Sequence, residues 1–161
     1  MFKKSNNLFL IIILAIISLI TVSALAIQYS LGHEPCNLCL YERIPYFLSI
    51  LLIITMLLTK KYKKITLLIL SLTFIISAIL AFYHFGIEQG FFKESFACEA
   101  KQLSNNLSKD QIIEELKKAS VSCKEVSFRI LGFSLASINT IFSIILSVIF
   151  AKLFLNYERN Q

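Results

Sequence analysis

The sequence predicts an all-α polytopic membrane protein: a bundle of four transmembrane helices, with a short amphipathic helix in the loop between the third and fourth. Three observations carry this. The chain has 161 residues, is 57% hydrophobic and has a mean hydropathy of +0.73, against an apolar content of about 45–50% in soluble domains. One small core cannot bury that excess, so lipid must solvate much of the surface. Four uncharged runs, Leu8–Ile27, Ile44–Leu58, Ile65–Phe85 and Ile130–Ala151, are candidates for spanning a bilayer. Basic residues crowd the links on one side of these runs. The whole chain, 1–161, reads as a single membrane domain with spans at about 8–27, 42–58, 65–85 and 130–151.

The first run is 20 residues long, the length a hydrocarbon core of about 30 Å requires. Lys3 and Lys4 ahead of it and Ala24-Leu25-Ala26 near its end resemble a signal peptide with its cleavage site. The stretch from Leu8 to Thr21 is already near the upper length of a signal core and continues apolar to Ile27, so a retained span is expected.

The second run has 15 residues and would reach only about 22 Å as a helix. Counting 20 residues back from Leu58 reaches Cys39, which puts Cys39 and Arg43 at the outer edge of the bilayer core. In a continuous helix they stand at i and i+4 and share a face. Pro45, comfortable only in a helix's first turn, argues for a start near Glu42 and leaves that geometry open. Arg43 is either an interfacial anchor snorkelling to headgroups or a charge that favours a Cys39 thiolate and an anionic ligand.

The third run, 21 residues, closes on "FYHFGIEQGFF". His84 is either an interfacial histidine among aromatics or a hydrogen-bond donor to a ligand at headgroup level. Glu88, one turn on, would pair with it if the helix continued, but Gly86 argues against that. Within the loop 86–129, "SKDQIIEELKKA" (108–119) reads as a short helix. Ser108 and Gln111 make a capping box, Ile112, Ile113, Leu116 and Ala119 form one stripe, and acids precede lysines as the helix dipole prefers. Such a helix lies on the membrane surface. The fourth run, 22 residues, opens on "RILGFSLASIN". Gly132, Ala136 and Thr140 offer a small-residue face for close packing, and Asn139 is placed to hydrogen bond between helices.

Charge sets the orientation. Lys3, Lys4, Lys60, Lys61, Lys63, Lys64, Lys152 and Arg159 fall on one side against the single acid Glu158, whereas loop 86–129 holds seven basic and seven acidic residues. Lys/Arg excess marks the cytoplasmic side, so both termini are expected there and loops 28–41 and 86–129 outside.

All four cysteines, Cys36, Cys39, Cys98 and Cys123, then face outward, two in each loop. An even count on an extracytoplasmic face implies disulfide chemistry. A Cys₄ zinc site is disfavoured by the 25-position spacing of Cys98 and Cys123, and no metal is expected. Two structural disulfides remain an alternative, which would make this a non-catalytic four-helix membrane protein. The tiny loop closed by Cys36-x-x-Cys39 makes a weak staple, however, and suits a bond that opens and closes. No nucleotide loop, Ser/His/Asp arrangement or internal repeat is present.

In combination, "PCNLCLYER" before the second span, "YHFGIEQGFF" after the third, cysteines at 98 and 123, and "ILGFSLASIN" opening the fourth resemble the disulfide bond formation protein B (DsbB) family of bacterial inner-membrane thiol–quinone oxidoreductases. The likeness covers nearly the whole chain. It implies an enzyme that reoxidises a periplasmic DsbA-like thioredoxin-fold protein and passes electrons to ubiquinone or menaquinone. Carried over, Cys98 would form the mixed disulfide with the partner and Cys123 would be its mate. The electrons would pass to Cys36–Cys39 through a Cys36–Cys123 link. Cys39 and Arg43 would face the quinone, with His84 as a further quinone neighbour.

Overall fold

The computed structural model describes residues 2–59, 62–93, 98, 122–124, 129–130 and 132–159. Among these, four helices run α1 (Phe2–Tyr29), α2 (Asn37–Leu58), α3 (Lys63–Glu88) and α4 (Leu135–Arg159). Each contains a segment long and apolar enough to cross a membrane: Asn7–Tyr29, Asn37–Leu58, Lys63–Glu88 and Leu135–Tyr157. The protein is a multi-pass membrane protein with a four-helix bundle. The amphipathic helix expected at 108–119 lies outside the described residues.

The packing is that of a bundle in lipid. Leu19, Ile76 and Ile79 point outward, each more than 60% exposed, while Ile17, Ile53, Phe74 and Phe150 are fully buried between helices. Phe74 stacks on Phe150 at 5.6 Å and meets the edge of Tyr46 at 5.8 Å. Lipid tails are as apolar as these side chains, so close contact and polar ties across helices, rather than water exclusion, hold such a bundle. Between α3 and α4 the fit is tight because small residues meet there: Ser77 and Ser143 touch at 3.0 Å, and Ala81 and Ala136 are buried.

Three element ends differ from the sequence expectation. The second helix begins at Asn37, not near Glu42, and passes through Pro45. Cys36 is its N-cap, extended at φ −67° and ψ 166°, with its sulfur accepting the Cys39 N–H at 3.4 Å. That cap and the cross-helix bonds of Glu42 and Tyr46 hold the first turns against the donor that Pro45 lacks.

The third helix continues through Gly86 to Glu88 and stops at Gly90, whose φ of +78° suits glycine. Gly90 N–H to the Ile87 carbonyl and Phe91 N–H to the Gly86 carbonyl complete a Schellman motif. Gly86 serves close approach instead of termination: a Cβ there would lie 2.1 Å from the Phe92 ring.

The fourth helix starts at Leu135, not at Ile130. Arg129–Ile130 and Phe133–Ser134 pair as a short antiparallel ribbon, with Gly132 at φ +88° in its turn. Ser134 then caps α4, its hydroxyl accepting the Ser137 N–H at 3.2 Å. Gly132 is therefore absent from the packing face, which Ala136 and Thr140 still supply.

Candidate active site

The N-terminal turn of α2 sets two sulfurs side by side. Cys36 sits on the cap and Cys39 one turn in. They are unbonded, with Sγ atoms 3.1 Å apart. Because α2 is continuous, Cys39 and Arg43 share a face.

The two cysteines have different neighbours beyond each other. Cys36, 5% exposed, faces α3, where His84 Nε2 lies 3.5 Å from its sulfur. It packs in an apolar cluster with Leu38, Ile87 and the second cysteine pair. Cys98 and Cys123 are joined in a disulfide with Cα atoms 5.3 Å apart, and each is 1% exposed. Both cysteine pairs thus meet at one buried cluster. Cys39 instead lines a cavity of about 310 Å³ between α1, α2 and α4. Leu19, Ile20, Ile27, Ile138 and Phe142 give it apolar walls, and Gln28, Glu42, Arg43 and Asn139 supply its polar groups. The Arg43 guanidinium donates to the Gln28 side-chain oxygen across the cavity. Apolar walls and a few convergent polar groups beside a cysteine suit a small, largely apolar ligand with hydrogen-bonding groups.

Behind the sulfurs a polar chain enters the bundle. His84 Nδ1 lies 2.7 Å from Glu42 Oε1, and Asn139 Nδ2 donates to Glu42 Oε2 at 2.5 Å. Tyr46 O–H donates to the Asn139 side-chain oxygen and lies 3.4 Å from the Ser143 hydroxyl, which reaches Ser77. His84 and Glu42 are 2% and 6% exposed. Ionisable groups at such depth are costly and mark functional sites. Glu88 stands near, its Oε1 3.9 Å from His84 Nε2. Cys36 precedes the membrane-spanning segment. Its hydrogen bond with Cys39, then His84 through a hydrogen bond and its charge, lower the thiol to about 4 against the opposing effect of burial.

The structure places Cys36, Cys39, Cys98, Cys123, Arg43 and His84 at one end of the bundle. His84 is not among the residues lining the cavity; its ring lies between Cys36 and Glu42, because α3 packs against the Cys36 side of α2. Glu42, Gln28 and Tyr46 were not read as site residues. The signal for Glu42 was an acid one turn beyond Cys39, legible only once α2 is known to begin before it. Cys36, Cys39 and His84 also bring three donor atoms within 4.8 Å of one another. Glu42 orients the imidazole as carboxylates behind metal-bound histidines do, so this set could hold a metal ion.

A family model described as disulfide bond formation protein DsbB matches residues 5–153. The chain is 32% identical over 162 aligned positions to a protein of Rickettsia prowazekii (strain Madrid E) called uncharacterized protein RP370, covering 99% of this chain and 94% of that one. No solved structure matches the chain.

Proposed function

The chain belongs to the disulfide bond formation protein DsbB family, and from that premise we propose that it reoxidises a DsbA-like thiol oxidase and passes the electrons through two cysteine pairs to a membrane quinone. Family membership implies oxidoreductase activity in disulfide bond formation. One observation supports the finer reading: Cys36 is buried in one cluster with the Cys98–Cys123 disulfide, while Cys39, packed against that cluster, also lines an apolar cavity. A dithiol so placed takes electrons from one side and delivers them to the other.

In this reading the reduced partner attacks the Cys98–Cys123 disulfide, with Cys98 forming the mixed disulfide and Cys123 leaving. Cys123 then exchanges with the Cys36–Cys39 pair through a Cys36–Cys123 bond. Cys39 meets the acceptor, and Arg43 holds the acceptor's reduced, anionic form. Quinone, ubiquinone or menaquinone, supplies a two-electron, two-proton acceptor dissolved in the lipid. The thermodynamics favour such a route. The partner class has a documented potential near about −120 mV, so glutathione at about −200 mV falls short by about 80 mV, or ~3.7 kcal/mol. The lysine-rich links support an orientation with both termini in the cytoplasm and the cysteines in the periplasm of a bacterial inner membrane.

The test is the thiol state of Cys36 and Cys39 in native membranes supplied with reduced partner. Quinone depletion should leave the pair reduced; a pair that stays oxidised overturns the relay. Cys39→Ser should trap a mixed disulfide. Two merely structural disulfides would instead give lower stability without trapping. The quinone that co-purifies with native lipid identifies the acceptor.

A further inference from the structure

Three metal-ligating side chains and one unsatisfied carboxylate oxygen meet where α2 begins beside the end of α3. We propose that Cys36, Cys39, His84 and Glu88 form a four-coordinate zinc site, available only while the first cysteine pair is reduced, and that the bound ion halts the thiol relay. The site stands on its ligands; its effect on turnover rests on the proposed function.

Cys36 Sγ lies 3.1 Å from Cys39 Sγ and 3.5 Å from His84 Nε2. The three donor atoms fall within 4.8 Å of one another. Zinc bonds of about 2.3 Å to sulfur and about 2.0 Å to nitrogen, set tetrahedrally, put sulfur about 3.6 Å from nitrogen and about 3.8 Å from a second sulfur. The nitrogen is therefore in place, and Cys39 has to swing out by about 0.7 Å. It is half-buried on the cavity wall, which leaves it room and gives the ion a way in. Glu42 Oε1, 2.7 Å from His84 Nδ1, fixes the ring so that Nε2 is the atom turned to the sulfurs. Asn139 holds the other Glu42 oxygen.

Glu88 points to the same place independently. Its side chain is 6% exposed, with Oε1 3.9 Å from His84 Nε2. Its Oε2 is buried and has no hydrogen-bond partner among the described residues. A buried acceptor without a donor is costly, and a cation beside it removes that cost.

The ligand set selects the ion. Two thiolates, an imidazole and a carboxylate suit zinc, whereas magnesium and calcium take oxygen ligands. The 25-position spacing of Cys98 and Cys123 disfavours a Cys₄ site, but here the third and fourth ligands come from α3. Any proton on the sulfurs or on Nε2 passes to buffer as the ion binds, and no electron moves. A sulfur whose lone pair is held by zinc neither attacks a disulfide nor reduces an acceptor. Once Cys36 and Cys39 are bonded to each other, two ligands are gone.

The test uses the purified full chain in detergent, reduced with dithiothreitol and freed of it without air. It is titrated with cobalt(II), zinc's spectroscopic stand-in, and then with zinc(II). One cobalt per chain should bind, with a sulfur-to-cobalt band in the near ultraviolet and the visible bands of a tetrahedral ion. Zinc should bleach both and magnesium neither. The wild type oxidised with diamide should show no bands, which tests the site without any substitution. Cys36→Ser should lose the sulfur band, and Cys98→Ser should keep it. His84→Gln and Glu88→Gln should each lower zinc affinity at least about 10-fold. One equivalent of zinc should stop ubiquinone-1 reduction, and a chelator should restore it. Absent cobalt binding to the reduced wild type, bands that survive diamide or Cys36→Ser, bands lost in Cys98→Ser, unchanged affinity in Glu88→Gln, or full turnover with zinc bound overturns the proposal. If the metal binds as described but the metal-free wild type fails to reduce ubiquinone-1, the site stands and the quinone-reducing function falls.

Discussion

Arg43→Met separates an acceptor-binding charge from a membrane anchor. Arg43 lies half-buried on the cavity wall, one turn from Cys39, and donates to Gln28 on α1. Methionine keeps much of the apolar stem and removes the guanidinium. A hydrogen bond to a charged group contributes about 1.5–3 kcal/mol, which corresponds to about a 10- to 150-fold loss. If Arg43 holds the anionic form of the acceptor, kcat/KM for ubiquinone-1 should fall by that factor in the detergent-solubilised protein with dithiothreitol as donor. Arg43→Lys keeps the charge but not the planar fork and should fall between. The bond to Gln28 also ties α1 to α2, so Gln28→Ala is the control: it removes the tie and leaves the charge. Loss of kcat/KM in Arg43→Met but not in Gln28→Ala is the expected pattern. Were Arg43→Met to stay within about twofold of wild type and both variants to lose equal thermal stability, Arg43 would be only a strut.

Three further outcomes follow from the same geometry. The Cys36 thiol is held down to about 4, so its charged form persists above that pH; thiolate ultraviolet absorbance of the reduced protein should survive acidification from pH 8 to 6 and vanish in Cys36→Ser. Phe74→Ala empties a fully buried site between Tyr46 and Phe150 and should cost about 3–5 kcal/mol as a cavity, read in a detergent unfolding titration. Ile79→Ala, 65% exposed toward lipid, should shift that midpoint little. Zinc added to the reduced protein should bind Cys36, Cys39 and His84 and block reoxidation until a chelator removes it; His84→Gln should weaken that block.

The sequence carried the bundle because long uncharged runs have one stable solution in lipid: helices whose backbone bonds close within the segment. It carried the redox chemistry because four cysteines fall in pairs on one side of those helices. Helix ends were harder. Pro45 and Gly86 are both common punctuation, yet α2 and α3 run through them. At Pro45 the Cys36 cap and cross-helix bonds outweigh one missing donor. At Gly86 the missing side chain makes room for Phe92, and Gly90 ends the helix. Conversely, Gly132 does break the chain, and Ser134 after it is the cap that marks the true start of α4. Local propensity cannot rank such residues, since the deciding contacts come from other helices.

Sequence alone determined that this protein is a four-span membrane protein with two cysteine pairs between its spans and an arginine one turn beyond the second cysteine. These follow from local properties, namely run length, charge and spacing. Only the tertiary structure decided what each cysteine of the first pair touches. Packing of α2 against α3 on one side and α1 and α4 on the other buries Cys36 beside His84 and the Cys98–Cys123 disulfide, and leaves Cys39 on the cavity wall. The same packing draws Glu42, His84 and Asn139 from three helices into contact. Those residues lie 42 and 97 positions apart along the chain, a distance over which no local pattern carries information.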